Sequence, residues 1–87
     1  MSESRDNRIK RMKMRSMRRG IKEMDLILSA YADRELEQMD AAGLDLYDAL
    51  LHENDQDLYQ WVTGQVPAPE PYIALMAEIA NTFQKDT

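Results

Sequence analysis

Apolar side chains recur at helical spacing along most of the chain. Between residues 21 and 37 they fall at intervals of three and four, which places them on one side of an amphipathic helix. No segment shows the strict alternation of apolar and polar residues that indicates a half-buried strand. The pattern therefore predicts an all-α protein. The stripe of the central helix consists of Ile21, Met24, Ile27, Leu28, Tyr31 and Ala32.

Similar stripes, and the residues that interrupt them, predict five helices. Asp40 and Asp55 are suitable N-caps for the third and fourth helices, because a carboxylate accepts hydrogen bonds from the first free amides of a helix. The three prolines of the chain lie within residues 65–71 and predict a stiff connector, of which residues 65–70 come ahead of the last helix. The predicted helices span residues 5–18, 21–37, 41–53, 56–63 and 70–84.

Each helix has one apolar side, so a single core can form between them. We therefore predict a single small five-helix bundle over residues 1–87, with frayed ends at 1–4 and 85–87. A chain of 87 residues buries only ~60–65% of its unfolded surface, so we expect a thin core without a deep cavity. Outside the second helix, the expected core positions are Ile9, Met12, Met17, Leu44, Tyr47, Leu50, Leu51, Leu58, Trp61, Val62, Tyr72, Met76, Ile79, Ala80 and Phe83.

Charge is divided sharply along the chain. Residues 1–22 carry nine Lys or Arg and two Asp or Glu, for a net charge of +7. Residues 23–87 carry two Lys or Arg and fourteen Asp or Glu, for a net charge of −12. A basic first helix can bind nucleic acid, but the overall net charge of −5 and the pI of about 4.7 argue against it.

The residue types exclude most catalytic chemistry. The chain has no cysteine, which rules out disulfides, thiolate catalysis and cysteine-ligated zinc. His52 is the only histidine, and its place in the last turn of a helix indicates a structural or exposed side chain. The three glycines are too far apart for a phosphate-binding loop, and the acidic run at 53–57 lacks the spacing of a calcium loop. We expect a binding protein and no enzyme, without a metal or a tightly bound cofactor.

The same features bear on location. No apolar run approaches the ~20 residues of a membrane-spanning helix. The N-terminus lacks the apolar core of a signal peptide, although it is rich in arginine and poor in acids, as transit peptides are. It continues directly into the central motif without room for a cleavage site. We therefore expect a monomer in the bacterial cytoplasm, in preference to the mitochondrial matrix.

One face of the second helix carries a mixed set of side chains. Arg19, Glu23, Leu26 and Ala30 follow one another at spacings of four, three and four, so they share this face. The face has two interpretations. It is either an ion pair on a solvated surface or a charged rim beside a small apolar spot on which a partner docks.

The glycine next to this face also has two interpretations. Gly20 is either the C-cap of the first helix, with a positive φ, or a position where another backbone approaches closely. Asp25 lies about 160° around the helix from Glu23. We expect Asp25 to pair with an arginine of the first helix.

A family resemblance adds to these patterns. Residues 19–23, Arg-Gly-Ile-Lys-Glu, match an Arg-Gly-x-x-Glu motif. The neighbouring residues 15–20 and 24–28, Arg-Ser-Met-Arg-Arg-Gly and Met-Asp-Leu-Ile-Leu, and the later Asp-Gln-Asp-Leu-Tyr-Gln-Trp-Val at 55–62 extend the match. The chain resembles, over about residues 8–84, a small all-helical family of assembly factors. These promote covalent flavin attachment to the flavoprotein subunit of succinate dehydrogenase and fumarate reductase.

The resemblance implies a docking role on that flavoprotein subunit. The factor would hold the FAD-binding and capping regions of its partner ready for attachment of FAD to a flavoprotein histidine. It implies that Arg19 pairs with partner carboxylates, that Gly20 permits close backbone contact, and that Glu23 meets a partner cation or amide. The full set of predicted partner-binding residues is Arg18, Arg19, Gly20, Glu23, Asp25 and Leu26.

Other classes of protein remain open. A nucleic-acid-binding helical protein would use the basic first helix, and its affinity would fall steeply with salt. A small antitoxin-like inhibitor of an unrelated protein would use the same exposed face. A carboxylate-dependent enzyme has the least support, because no pocket of this chain would desolvate its acids.

Overall fold

The computed structural model describes residues 3–85. Within this range the backbone forms five α-helices and no strand, which confirms the predicted all-α fold. Residues 1–2 and 86–87, where we predict fraying, lie outside the described part of the chain. The helices are α1 (Arg5–Ser16), α2 (Lys22–Glu35), α3 (Ala41–Leu50), α4 (Asp55–Val62) and α5 (Ile73–Lys85), and a 3₁₀ turn at Leu36–Gln38 follows α2.

Short polar side chains begin three of these helices. Ser4 and Asp40 cap α1 and α3 by accepting hydrogen bonds from amides three residues ahead, at 3.2 and 2.8 Å. Asp40 thus confirms one predicted cap. For α4 the prediction is wrong, because Asn54 is the N-cap and accepts from the amide two residues ahead at 2.8 Å. The carboxylate of Asp55 is therefore available for another contact.

The first helix ends two residues earlier than predicted. It stops at Ser16, and Arg18 then adopts a left-handed backbone with φ of 65°. Met17, which we expect in the core, consequently leaves the helical stripe and is 50% exposed. The chain turns sharply here and enters α2 at Lys22.

The central helix is α2, which packs against α1, α4 and α5. Its predicted stripe is buried, apart from a half-buried Ile21. Tyr31 of α2 and Tyr47 of α3 pack with ring centroids 5.6 Å apart. The buried apolar residues are Ile9, Met12, Met24, Ile27, Leu28, Tyr31, Ala32, Leu36, Leu44, Tyr47, Leu50, Leu51, Leu58, Val62, Tyr72, Leu75, Met76 and Ile79.

The last helix departs from its predicted core positions at its end. Phe83 is 42% exposed, so its predicted place in the core is wrong. Leu75 is buried although the predicted stripe omits it. Trp61 is only half-buried and stacks on Tyr72, with ring centroids 6.1 Å apart. This aromatic pair ties α4 to the start of α5.

A buried polar group fixes the end of α1. The hydroxyl of Ser16 is fully buried and donates to the carbonyl of Met12 at 2.8 Å. It also lies 2.6 Å from the hydroxyl of Tyr47, so the two hydroxyls share a hydrogen bond. Ser29 of α2 donates to the Ser16 carbonyl at 3.3 Å, and burial raises the pKa of Tyr47 to about 12. These bonds join α1, α2 and α3 at the point where the chain begins to turn.

Many cations of α1 are paired within the fold. Arg8 contacts Asp45 at 2.6 Å, and Arg11 contacts Asp48 at 2.9 Å, so α1 is held against α3 by charge. Part of the positive charge of α1 is thus neutralised by its acidic neighbour α3.

The Arg11–Asp48 pair makes acid stability depend on one carboxylate. The hydrogen bond from Arg11 holds the pKa of Asp48 below its ordinary value, against an opposing effect of burial. In the unfolded chain Asp48 titrates near 3.8. The stabilisation is therefore complete above that pH and is lost as the pH falls through the lower folded pKa.

Replacing Asp48 with asparagine should remove this pH dependence. We expect Asp48→Asn to cost about 1 kcal/mol at pH 7, since the side chain keeps some solvent contact. The free energy of unfolding should also fall less steeply below about pH 4 than in the wild type. Urea titrations between pH 2 and pH 7 measure both effects. Asp45→Asn is the control, because that side chain is 70% exposed, and equal pH slopes for wild type and Asp48→Asn would contradict the expectation.

Candidate functional site

Residues 17–21 join α1 to α2, and we call them the corner. No glycine supplies the left-handed turn, because it is Arg18 that has the positive φ. Ile21 is the N-cap of α2 and makes no side-chain capping bond. The corner runs beside the N-terminus of α4, which supplies its principal contacts.

The side chain of Arg19 is directed inward at the corner. It is only 9% exposed, and its Nε donates to Asp55 Oδ1 at 2.7 Å. Its Nη1 donates to the carbonyls of Arg15 and Leu51, each at 3.1 Å, and its Nη2 donates to the carbonyl of Glu53 at 3.3 Å. We predict a carboxylate of a partner for this guanidinium, but in the free protein the carboxylate belongs to the same chain.

Gly20 completes a two-point contact with the same acid. Its amide donates to Asp55 Oδ2 at 2.6 Å. A Cβ placed on Gly20 would lie 3.0 Å from that oxygen, closer than ordinary packing allows. Gly20 is thus closely approached by a side chain, where we predict another backbone, and the predicted capping glycine with positive φ is wrong. We call Arg19, Gly20 and Asp55 the corner clamp.

Asp25 supports the corner from the other side. Its Oδ2 accepts a hydrogen bond from the backbone amide of Arg18 at 3.1 Å. Its Oδ1 lies 3.4 Å from the hydroxyl of Ser29. Asp25 forms no ion pair with an arginine among residues 3–85, contrary to the prediction, and instead fixes the backbone amide of Arg18 at the left-handed turn.

The remaining predicted residues face solvent. Arg18, Gly20 and Glu23 are exposed, and Leu26 is 62% exposed, which is unusually high for a leucine next to a core helix. Glu23 makes no hydrogen bond or ion pair with any residue in the range 3–85. We call Arg18, Gly20, Glu23 and Leu26 the outer face of the corner. The six predicted residues therefore divide into an outer face and an inner support made by Arg19 and Asp25.

A shallow cleft of about 450 Å³ adjoins the outer face. It is open to solvent and its lining is mostly polar. Such a depression suits contact with a protein surface better than enclosure of a small molecule. Its lining residues are Gly20, Ile21, Glu53, Asn54, Asp55 and Gln56.

Residues 3–85 contain neither a metal site nor a membrane-spanning helix. In the described part of the chain, no group of three or more His, Cys, Asp or Glu side chains is placed to hold a metal ion. Among the helices within residues 3–85, none has the length and apolar character needed to cross a bilayer.

Asp55 is the one site residue whose role the sequence analysis missed. Its position before a helix is equally typical of a cap, and its partners lie 35 and 36 residues away. The available signal was the resemblance over residues 55–62, which marked this stretch together with the Arg-Gly motif. The Arg-Gly motif and residues 55–62 are far apart in the chain, and a direct contact between them would explain why the resemblance includes both.

Residues 10–83 match the family described as flavinator of succinate dehydrogenase. The chain belongs to this family. The matched range contains the corner, all of α2 to α4, and Asp55. The contacts that shape the corner therefore lie entirely within the part of the chain that the flavinator family shares.

Individual relatives agree with the family match. The proteins named succinate dehydrogenase assembly factor 2, mitochondrial, from Candida glabrata and Meyerozyma guilliermondii are 45% identical over 73 residues and 38% identical over 87 residues. The matches cover 80% and 97% of this chain, and 48% and 63% of those proteins. The zebrafish protein of the same name is 35% identical over 86 residues, covering 97% of this chain and 54% of its own length. The chain thus spans about half to three-fifths of the length of these flavinator relatives.

The names of these relatives correct the predicted location. Both yeast proteins and the zebrafish protein are named as mitochondrial. The prediction of a bacterial cytoplasmic protein is therefore wrong. The arginine-rich, acid-poor N-terminal stretch was the feature of the sequence that agreed with a mitochondrial setting.

Proposed function

We propose that the protein binds the flavoprotein subunit of succinate dehydrogenase or fumarate reductase and promotes covalent attachment of FAD to it. The observation that carries this proposal is the match of residues 10–83 to the flavinator family. The relatives named as succinate dehydrogenase assembly factors support the assembly role. The corner supports binding to a protein, because its outer face is exposed to solvent. Its inner support, Arg19 and Asp25, is already engaged by contacts within the fold.

The protein acts in this proposal by selecting a conformation of its client. The new bond joins a histidine of the flavoprotein to the FAD, and this chain contributes no reacting group to it. Binding more tightly to the attachment-ready arrangement raises the population of that arrangement. It also improves the orientation of the reacting groups, which contributes to rate without any acid, base or nucleophile from the assembly factor.

The outer face supplies the proposed contacts with the client. Glu23 offers an unpaired carboxylate to a cation or a backbone amide of the client. Leu26 offers an apolar side chain that contact with the client would remove from water. Gly20 has no side chain and lets the client backbone reach the rim of the cleft. Arg19 and Asp25 act indirectly in this arrangement, by holding the corner in the shape that the client meets.

The test is to express the flavoprotein subunit with and without this protein. Covalent flavin is scored by its fluorescence in a denaturing gel, and binding is scored by co-purification. We expect both a stable complex and a higher yield of covalent flavin when the protein is present. A flavin yield that does not depend on the protein, with no co-purification, would refute the proposed function.

Glu23→Ala tests the outer face within the same assay. The change should weaken capture of the flavoprotein by about 1–3 kcal/mol, because a charged hydrogen bond at an interface is lost. The thermal unfolding of the free protein should hardly change, since Glu23 has no hydrogen bond or ion pair within residues 3–85 to lose. Glu70→Ala is the matched control, being an exposed carboxylate outside the corner. Equal capture by both variants would remove Glu23 from the interface.

A further inference from the structure

Two cations, one in the last turn of α1 and one just after it, have no acidic partner among residues 3–85. Ion pairs or backbone hydrogen bonds within the fold occupy Arg5, Arg8, Arg11, Lys13 and Arg19. Arg15 and Arg18 differ, because neither lies within ion-pair distance of a carboxylate among residues 3–85. The Arg15 guanidinium lies 3.5 Å from His52 Nδ1, which is a long contact and involves no carboxylate.

Exposed thioethers accompany these two cations. Met14 is 55% exposed and Met17 is 50% exposed, in a molecule that buries Met12 and Met24 completely. Met14, Arg15 and Arg18 line one shallow recess of about 340 Å³, together with Arg19 of the corner clamp. Methionine adapts its shape to an apolar partner, so two exposed methionines beside a cationic recess offer apolar and electrostatic contact together.

We infer that Met14, Arg15, Met17 and Arg18 form a second contact surface for the client flavoprotein, one that takes an acidic segment carrying an apolar side chain. This inference rests on the proposed function, and it extends the interface from α2 across the corner onto α1. We call these four residues the methionine–arginine patch. Carboxylates of the segment pair with the two guanidinium groups, and its apolar side chain lies against the two thioethers.

Charge complementarity favours an acidic protein segment over nucleic acid. A nucleic-acid backbone presents phosphates at regular short intervals and binds best to a continuous array of cations. Here carboxylates of the fold neutralise three of the six cations of α1, Arg8, Arg11 and Lys13. Residues 23–87 also carry a net charge of −12 that would repel a polyanion. Two unpaired arginines suit a short acidic segment, which needs only two local partners.

The test compares variants on two sides of α1 in the flavoprotein capture and covalent-flavin assays. Arg15→Glu reverses one charge of the patch, and Met14→Gln replaces a thioether by an amide of similar length. Neither residue belongs to the outer face, and both side chains are exposed, so the helix content should be unchanged. Lys10→Glu is the control, because this exposed lysine lines a different recess, with Asp6 and Lys13.

We expect Arg15→Glu to weaken capture by on the order of tenfold or more, with stronger loss at low salt, and Met14→Gln to weaken it severalfold. Lys10→Glu should capture the flavoprotein as the wild type does. If the wild type captures the flavoprotein and Arg15→Glu does so equally well, the patch is refuted while the proposed function stands. If the wild type captures nothing, the proposed function itself fails. Tight binding of labelled duplex DNA or RNA that Arg15→Glu abolishes would also overturn the inference, by making the patch a nucleic-acid site.

Discussion

Replacing Asp55 with alanine is expected to lower the melting temperature by about 10 °C and to reduce covalent flavin attachment. Removing one member of a buried ion pair costs up to ~3–5 kcal/mol, because the other charge is left without its partner. Arg19 retains three backbone carbonyls and Asp55 is itself 19% exposed, so we expect about 2–3 kcal/mol. Thermal unfolding followed by circular dichroism measures the loss.

A double-mutant cycle then separates the clamp from a general loss of stability. Gly20→Ala alone should destabilise the protein, because its Cβ would lie 3.0 Å from Asp55 Oδ2. The same change should cost little once Asp55 is alanine, since the obstructing carboxylate is gone. We expect a coupling free energy of about 1–2 kcal/mol between the two positions. Gly20 has no positive φ, so backbone strain does not complicate the cycle.

Asp57→Ala provides the matched control for this cycle. Asp57 also lies in the first turn of α4, but it is exposed and has no hydrogen bond or ion pair within the described range. Its removal should change the free energy of unfolding by less than ~0.5 kcal/mol and should leave the flavin yield unchanged. Strictly additive effects of Gly20→Ala and Asp55→Ala would show that the clamp does not act as a unit.

Gly20→Arg is expected to abolish support of flavin attachment while most helical structure remains. The new side chain would begin next to the carboxylate of Asp55, compete with Arg19 for it, and extend over the cleft that adjoins the outer face. The circular dichroism spectrum should stay helical, and the melting temperature should fall by several degrees. Flavoprotein capture and in-gel flavin fluorescence should both be lost.

The interpretation of Gly20→Arg depends on two comparisons. Gln60→Arg adds the same charge at an exposed position of α4 outside the cleft, and it should leave flavin attachment intact. Gly20→Ala should retain part of the activity, because it disturbs the clamp without covering the cleft. If Gly20→Arg proves to be unfolded, Gly20 has a structural role and the docking proposal loses its support at that position.

Hydrophobic spacing was sufficient to predict the helices, for a physical reason. A thin core admits one apolar stripe from each helix. The spacing of apolar residues between 24 and 32 is enough to identify the stripe of α2. The errors occur where a helix ends. Met17 and Phe83 continue the apolar period, yet both are exposed, because periodicity cannot show where the chain turns away or where neighbouring helices stop.

The candidate site was predicted less completely, because it is made by contacts between distant residues. Local reasoning identified Glu23 and Leu26 as exposed, since their face of α2 carries no core stripe. It could not show that Arg19 meets an acid 36 residues later in the chain. From the sequence alone, any of the many carboxylates after residue 23 was an equal candidate for the partner of Arg19. Only the fold shows that α4 lies against the corner.

The left-handed turn at Arg18 has an energetic consequence. A residue with a side chain at φ of 65° is less favourable than glycine by about 1 kcal/mol, and glycine would form the same turn without that strain. Folding alone would thus be served better by a residue with no side chain. The chain instead displays a long cation at this left-handed turn, which agrees with the proposed recognition of a client at the corner.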